Sequence, residues 1–161
     1  IYRELYQKGL LGTELGELIT NMERGDPFSV PGVLDTACWS RTGVGGPTIG
    51  ETLQRAGHKL RRADKNRVQG KIQIHEYLKI MQSGRPRIQL FNTCPNLIRE
   101  LQSIPLDKRN PEDVDTHAPD HAYDALRYLI MSRPRINDTL NQMRQFHRER
   151  SYAPVDSTFG Y

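Results

Sequence analysis

Residues 33–39 read VLDTACW, a short, apolar and β-prone run that contains one charge, Asp35. Turn signals such as Pro31-Gly32 precede the run, and a glycine-rich loop at residues 41–47 follows it. The run therefore predicts a buried strand that holds a single carboxylate.

Helices and strands alternate on either side of this run. Helical spacing of apolar residues, or a capping residue, predicts two short helices in residues 1–22 and further helices at 48–56, 65–81, 95–103 and from Asp120 to the residue before Arg133-Pro134. Strand candidates lie at 58–63 and 87–92. This order predicts an α/β fold with a mixed or mostly parallel sheet flanked by helices. Three strands make a thin sheet, so we expect further strands before Ile1 or from a partner.

Length and composition indicate one globular domain with a tail. The chain has 161 residues, of which 36% are hydrophobic and 26% charged, and no apolar run approaches the roughly 20 residues that a membrane span needs. We expect a domain over residues 1–133 and a basic tail over residues 134–161, which could add one amphipathic helix. The chain starts with Ile1 and without a secretory signal, which is typical of a fragment.

Two features of the composition exclude other classes of protein. Cys38 and Cys94 are far apart and lack the spacing of a zinc site, so we expect reduced thiols. The loop at 41–47 follows a strand and precedes a helix, but it has no Gly-Lys-Ser/Thr ending, and Pro47 removes a backbone donor. An ATP site there is therefore not expected.

The strongest candidate for chemistry is DHAYDALRY, residues 120–128. Asp120 and Asp124 are four positions apart and His121 and Asp124 three apart, so a helix would project all three from one side of its first two turns. A structural alternative stays open, in which Asp120 is only an N-cap and Asp124 pairs with Arg127 or Tyr128.

Asp35 adds a second carboxylate to this candidate. A charge in a buried strand is costly unless it is paired or binds a metal, and oxygen ligands favour Mg²⁺ or Mn²⁺. Ligands of open α/β sheets lie beyond the carboxyl ends of the strands, where a helix with residues 120–128 could meet Asp35. The alternative for Asp35 is a salt bridge or a hydrogen bond to a loop.

Basic residues form their densest cluster in the chain at residues 58–67. They could contact DNA phosphates, or they could be no more than a solvated surface, since the net charge of +4 is modest. The candidate DNA-binding residues are Arg41, Lys59, Arg61, Arg62, Lys65 and Arg67.

The sequence resembles the C-terminal nuclease region of the large terminase subunit of tailed phages. The resemblance spans about residues 30–133 and rests on VLDTACW with its loop to residue 49, on ADKNRVQG at 63–70, on LFNTCPNLIREL at 90–101, and on PEDVD at 111–115 leading to residues 120–128. It implies a ribonuclease-H-like endonuclease that cuts concatemeric viral DNA with two Mg²⁺ or Mn²⁺ ions. The implied partners are double-stranded DNA, the portal protein and the small terminase subunit, and the implied location is the host cytoplasm, as for a phage or prophage protein.

The resemblance also assigns roles to residues. Asp35 matches the second of the family's three acids and Asp124 the third, with Asp120 and His121 as further ligands or orienting groups. The first-strand hairpin, its Asp and the ATPase motifs are not found in this sequence, so ATP would act only in an upstream domain. A site without its first carboxylate is expected to bind metal poorly. We therefore expect DNA cleavage from the intact domain, which would include the first strand and its Asp. Two alternatives stay open: a non-catalytic DNA-binding or portal-docking module, and another ribonuclease-H-like nuclease such as a resolvase.

Overall fold

The computed structural model describes residues 1–27, 30–41 and 45–133. These parts form a mixed α/β arrangement, which confirms the predicted class. In chain order the elements are α1 (Gly12–Glu23), β1 (Gly32–Leu34), a 3₁₀ turn (Thr36–Trp39), α2 (Ile49–Arg55), β2 (Leu60–Arg62), α3 (Arg67–Leu78), α4 (Pro95–Ser103) and α5 (His121–Met131). The predicted tail, residues 134–161, lies outside the described residues. No helix in the described part is long and apolar enough to cross a membrane.

Strands β1 and β2 pair in parallel, with Val33 opposite Arg61. A parallel pair needs a crossover connection, and α2 lies within it. The predicted cap of α2 is confirmed, because Thr48 Oγ1 accepts from the Glu51 N–H at 3.1 Å while the Glu51 carboxylate accepts from the Thr48 N–H at 2.8 Å. Within the described residues, these two strands make up the regular sheet.

The strand predicted over residues 33–39 is shorter than expected. It ends at Leu34 because the Asp35 carboxylate accepts a hydrogen bond from the Ala37 N–H at 2.7 Å, and this local bond turns the chain into 3₁₀ geometry. Asp35 therefore follows the strand instead of lying inside it.

The strand predicted over residues 87–92 does not join the sheet. The N–H groups of Arg87 and Ile88 donate instead to the Tyr77 carbonyl, at 3.0 and 3.2 Å. Beyond them, the Ile1 amino group donates to the Gln89 carbonyl at 2.5 Å, and the Phe91 N–H donates to the Ile1 carbonyl at 2.9 Å. Ile1 thus pairs with this segment at a single point, which is too short to be a strand.

The prediction of two helices in residues 1–22 is wrong for the first of them. Residues 1–11 are non-helical, and only α1 forms. The Glu4 carboxylate accepts from the N–H groups of Asn96 and Leu97, at 3.1 and 2.8 Å. Because these groups have no partner within α4, the contact fixes the opening segment against the start of that helix.

Helix α3 is shorter than the predicted helix at residues 65–81. Its cap is Asn66, which accepts from the Gln69 N–H at 3.0 Å, while the predicted cap Asp64 accepts from the Asn66 N–H at 2.9 Å. At its other end, Ile80 leaves the helix to form an isolated antiparallel bridge with Pro86.

The core lies between α3, α4 and α5. Its buried side chains are Ile74, Cys94, Leu97, Val114, Ala122, Tyr123, Leu126 and Ile130. Helix α5 also places Arg127 beside α3, at a point where Gly70 leaves room for its side chain. This packing brings one face of α5 toward the end of β1.

Candidate active site at Asp35 and Asp124

Asp35 and Asp124 meet on either side of one hydroxyl group. The Tyr128 hydroxyl donates to Asp35 Oδ2 and lies 3.5 Å from Asp124 Oδ2. A hydroxyl has one hydrogen, so the short contact to Asp35 is the donated bond and the longer one holds Asp124 nearby. The structure thus brings together two of the acids that the sequence singled out.

Asp35 is ionised in this arrangement. Its side chain is 32% exposed, and its Oδ1 lies 3.6 Å from Lys65 Nζ. The hydrogen bond from Tyr128 lowers the pKa of Asp35, with smaller contributions from the Ala37 N–H and Lys65 and with burial acting in the opposite direction. Asp35 thus makes both the hydrogen bond to a loop that the sequence left open as an alternative, with the Ala37 N–H, and a contact with α5, through Tyr128.

Asp124 is fixed by a buried arginine. Arg127 Nε and Nη2 each lie 3.0 Å from Asp124 Oδ1, and Arg127 is only 2% exposed. This is the pairing that the sequence left open as an alternative. Arg127 binds only Oδ1 of Asp124, and Oδ2 faces the Tyr128 hydroxyl. Asp124 can therefore pair with Arg127 and face Asp35 at the same time.

Tyr128 is held in its neutral form. Burial and, next, the hydrogen bond to Asp35 raise its pKa. A neutral phenol retains the proton that it donates to Asp35, so the bridge is stable throughout the physiological pH range.

Asp120 lies at the edge of this cluster, and its environment differs from that of Asp35. Burial and, next, the charge of Asp124 raise the pKa of Asp120. Its Oδ2 is 3.9 Å from Arg67 Nη2. Asp120 occupies the N-cap position of α5, as in the structural alternative, but its side chain makes no capping hydrogen bond.

The structure does not bring His121 to the two acids. Its ring is 71% exposed and faces a cavity of about 490 Å³, which the opening segment lines with Tyr6 among other residues. Its Nδ1 lies 3.8 Å from Asp120 Oδ1. Among the described residues, the structure therefore shows His121 beside Asp120 but no polar contact between His121 and Asp124.

Sequence reasoning missed two acids that organise the site. Asp113 Oδ2 accepts from Arg67 Nε at 2.8 Å. Glu100 is 1% exposed, and its Oε2 accepts from the N–H groups of Ala122 and Tyr123 at 2.7 and 2.9 Å, which caps α5 from a neighbouring helix. A signal for Glu100 was available, because it occupies the apolar face of α4 together with Leu97.

The predicted DNA-binding residues have different environments. Arg61 Nη2 donates to the Ser132 carbonyl at 2.6 Å, and the Arg62 guanidinium lies 5.4 Å from the centre of the Trp39 ring. Arg67 faces acids, whereas Lys65 is 55% exposed beside Asp35. The remaining two, Lys59 and Arg41, are exposed.

Carboxylates such as those of Asp35 and Asp124 are ligands that a hard divalent cation prefers, and the atom on which their Oδ2 oxygens converge is the Tyr128 hydroxyl oxygen. Across residues 1–27, 30–41 and 45–133, however, no group of three or more Asp, Glu, His or Cys side chains is arranged to hold a metal ion. These residues therefore supply two ligands of such a site and not a complete set.

Comparison with protein-family models, with curated proteins and with solved structures finds no match to this chain.

Proposed function

We propose that this chain belongs to the nuclease region of a tailed-phage large terminase, with a ribonuclease-H-like fold, and that it cuts concatemeric DNA during genome packaging. The observation that supports this proposal best is the meeting of Asp35, at the carboxyl end of β1, with Asp124 of α5. The carboxyl ends of parallel strands are where α/β proteins bind their ligands.

In this proposal Asp35 and Asp124 hold Mg²⁺ or Mn²⁺, with Asp120 as a further candidate ligand. The chemistry that bound divalent ions supply is activation of a water molecule and stabilisation of the leaving oxygen of a phosphodiester. The first acid of the family pattern is not assigned to any residue of this sequence.

The other residues of the site position these acids. Arg127 fixes the orientation of Asp124 through two nitrogens, and Tyr128 keeps Asp35 ionised and close to α5. The orientation of Asp124 is thus fixed before any cation binds, which would reduce the cost of binding, although its Oδ2 also faces Arg67 Nη1 at 3.6 Å.

The DNA backbone would approach along the exposed cations next to Asp35. Lys65 lies beside the carboxylate, and Arg62 lies at the carboxyl end of β2, opposite the residue that precedes Asp35. Phosphate contacts of this kind attract DNA irrespective of sequence and weaken as salt increases.

Substitution of Asp124 by Asn in the complete protein tests this function. Asn keeps the size of the side chain but removes the charge that binds a cation, so we expect plasmid cleavage in Mn²⁺ to fall by at least about a hundredfold while DNA retention in a gel-shift assay persists. Glu112→Gln, an exposed carboxylate in the loop before α5, is the matched control and should cleave normally.

Two outcomes would contradict the proposal. Cleavage that survives in Asp124→Asn excludes this residue as a metal-binding acid. A wild-type protein that retains DNA but never cuts it in Mg²⁺ or Mn²⁺ favours the second candidate, a DNA-binding or portal-docking module, which the shortage of metal ligands among the described residues also favours. Strong preference for four-way junctions over linear duplex would indicate a resolvase.

A further inference from the structure

An apolar groove runs between residues 1–8 of the opening segment and helix α5. It encloses about 490 Å³, and its lining includes Leu5 and Tyr6 on one side and Ala125 and Leu129 on the other. In the described part of the chain, Leu5 and Ala125 are exposed and Leu129 is half-buried. Covering apolar side chains removes their surface from water, so a further apolar segment in this groove would add stability.

The chain leaves α5 at one end of this groove. Arg133 follows Leu129 by four positions, which places the two residues one turn apart on the same side of a helix. The Arg133 N–H still donates to the Ile130 carbonyl at 3.0 Å, whereas Pro134 has no N–H with which to continue the helix. A segment that follows Pro134 therefore begins beside the groove.

The sequence after Pro134 has an apolar stripe that matches α5 in length. Ile136, Leu140 and Met143 recur at helical spacing, Phe146 follows three positions later, and the positions between them are polar. Residues 136–146 cover as many positions as α5, which has 11 residues, so a helix over either range is about 16 Å long.

We propose that residues 136–146, which lie outside the described residues, form a helix that packs antiparallel to α5 and places Ile136, Leu140 and Met143 in this groove. Two antiparallel helices joined by a loop of two to five residues are a common arrangement. The small side chain of Ala125 lets a second helix approach α5 closely. This inference goes beyond the proposed function and does not depend on it.

Charge and connectivity favour this segment over other occupants. Residues 136–146 contain one acid, Asp138, and one base, Arg144, so the segment has no net charge to bury against an apolar lining. The linker from Arg133 to Ile136 is short, and a short tether gives an effective concentration of the order of millimolar. A second copy or a separate partner has to compete with that concentration.

Methyl NMR of the full chain tests this docking directly. With ¹³C-labelled methyl groups on Met, Ala and Leu, we expect nuclear Overhauser effects between the Met143 methyl and the methyls of Ala125 and Leu129. Met143→Leu identifies the Met143 signal, because this substitution removes that signal and keeps the volume and the apolar character of the side chain.

Two variants should abolish these contacts, one on each side of the interface. Leu140→Asp places a charge on the apolar stripe, and Ala125→Glu places one on the exposed wall of the groove. Both should lose the contact between Met143 and Leu129 and should bind more of the fluorescent dye 1-anilinonaphthalene-8-sulfonate than wild type does. Asn141→Asp is the matched control, since it adds the same charge on the polar side of the segment and should keep the contact.

The docking is overturned if wild type lacks the contacts of Met143 with Ala125 and Leu129. It is also overturned if the contacts survive in both Leu140→Asp and Ala125→Glu, or if Asn141→Asp loses them to the same extent. Contacts that occur only between differently labelled chains in a mixed sample assign the groove to a second copy and overturn docking within one chain. None of these outcomes depends on DNA cleavage, so the proposed function stands or fails separately.

Discussion

Replacing Glu100 should test how α5, and with it Asp124, is held in place. Glu100 belongs to α4, yet its carboxylate accepts the Ala122 and Tyr123 N–H groups at the start of α5 and is almost completely buried. The first N–H groups of a helix have no partner inside it, and a negative charge there also interacts favourably with the helix dipole.

The expected magnitude follows from these two bonds. A hydrogen bond to a charged group contributes about 1.5–3 kcal/mol, and Glu100→Ala would remove two of them and leave the donors buried. Relief from burying a carboxylate offsets part of the loss. We therefore expect Glu100→Ala to lower the free energy of unfolding by about 2–4 kcal/mol, and Glu100→Gln, which keeps an acceptor oxygen without charge, by about half as much.

Urea unfolding followed by far-ultraviolet circular dichroism measures this change. Gln102→Ala, a substitution at an exposed position of the same helix, is the control and should stay within about 0.5 kcal/mol of wild type. If Glu100→Ala also stays within that range, the carboxylate does not anchor α5 and the explanation for the position of Asp124 fails.

Two further predictions concern the interior of the site. Tyr128→Phe should raise the pKa of Asp35 toward its ordinary value of 3.8, because the hydrogen bond donated by Tyr128 is the largest cause of the lowered pKa. A carboxyl ¹³C NMR titration measures the pKa of Asp35, and an unchanged value would contradict the hydrogen bond between the two residues. Because folding lowers the pKa of Asp35, the hydrogen bond from Tyr128 contributes fully to stability above pH 3.8, and this contribution is lost as the pH falls through the pKa of the folded state. The free energies of unfolding of wild type and Tyr128→Phe should therefore differ less at acid pH. Gly70→Ala would place a methyl group 2.4 Å from Arg127 Cγ, and the overpacking should destabilise the fold by about 1–3 kcal/mol in thermal or urea melts despite the better helix propensity of Ala. An unchanged or raised stability would show that Arg127 is free to move.

The helices near the end of the described chain follow from local sequence. Proline at the first position and an amphipathic pattern determine α4, and a periodic apolar face determines α5. The capping box at Thr48 is equally local. Such elements were predictable because the interactions that fix them lie within a few residues of one another.

Strand boundaries and the site needed the tertiary structure. The bond from Ala37 to Asp35 ends β1 early, and residues 87–92 lack a strand partner because their N–H groups find other acceptors. A strand forms only when it pairs with another segment, which is often distant in sequence, and a local pattern of residues does not determine whether such a segment lies beside it in the folded chain.

The sequence by itself singled out Asp35 and Asp124, which stand out by residue type and spacing. Only the tertiary structure decided that Tyr128 joins them, that His121 turns away, and that Glu100 and Arg67 hold the acids in position. The physical reason is that a partly buried charge is costly unless it is paired or hydrogen-bonded. The groups that pair with these acids lie up to 93 residues away in sequence, and the packing of the core brings them together.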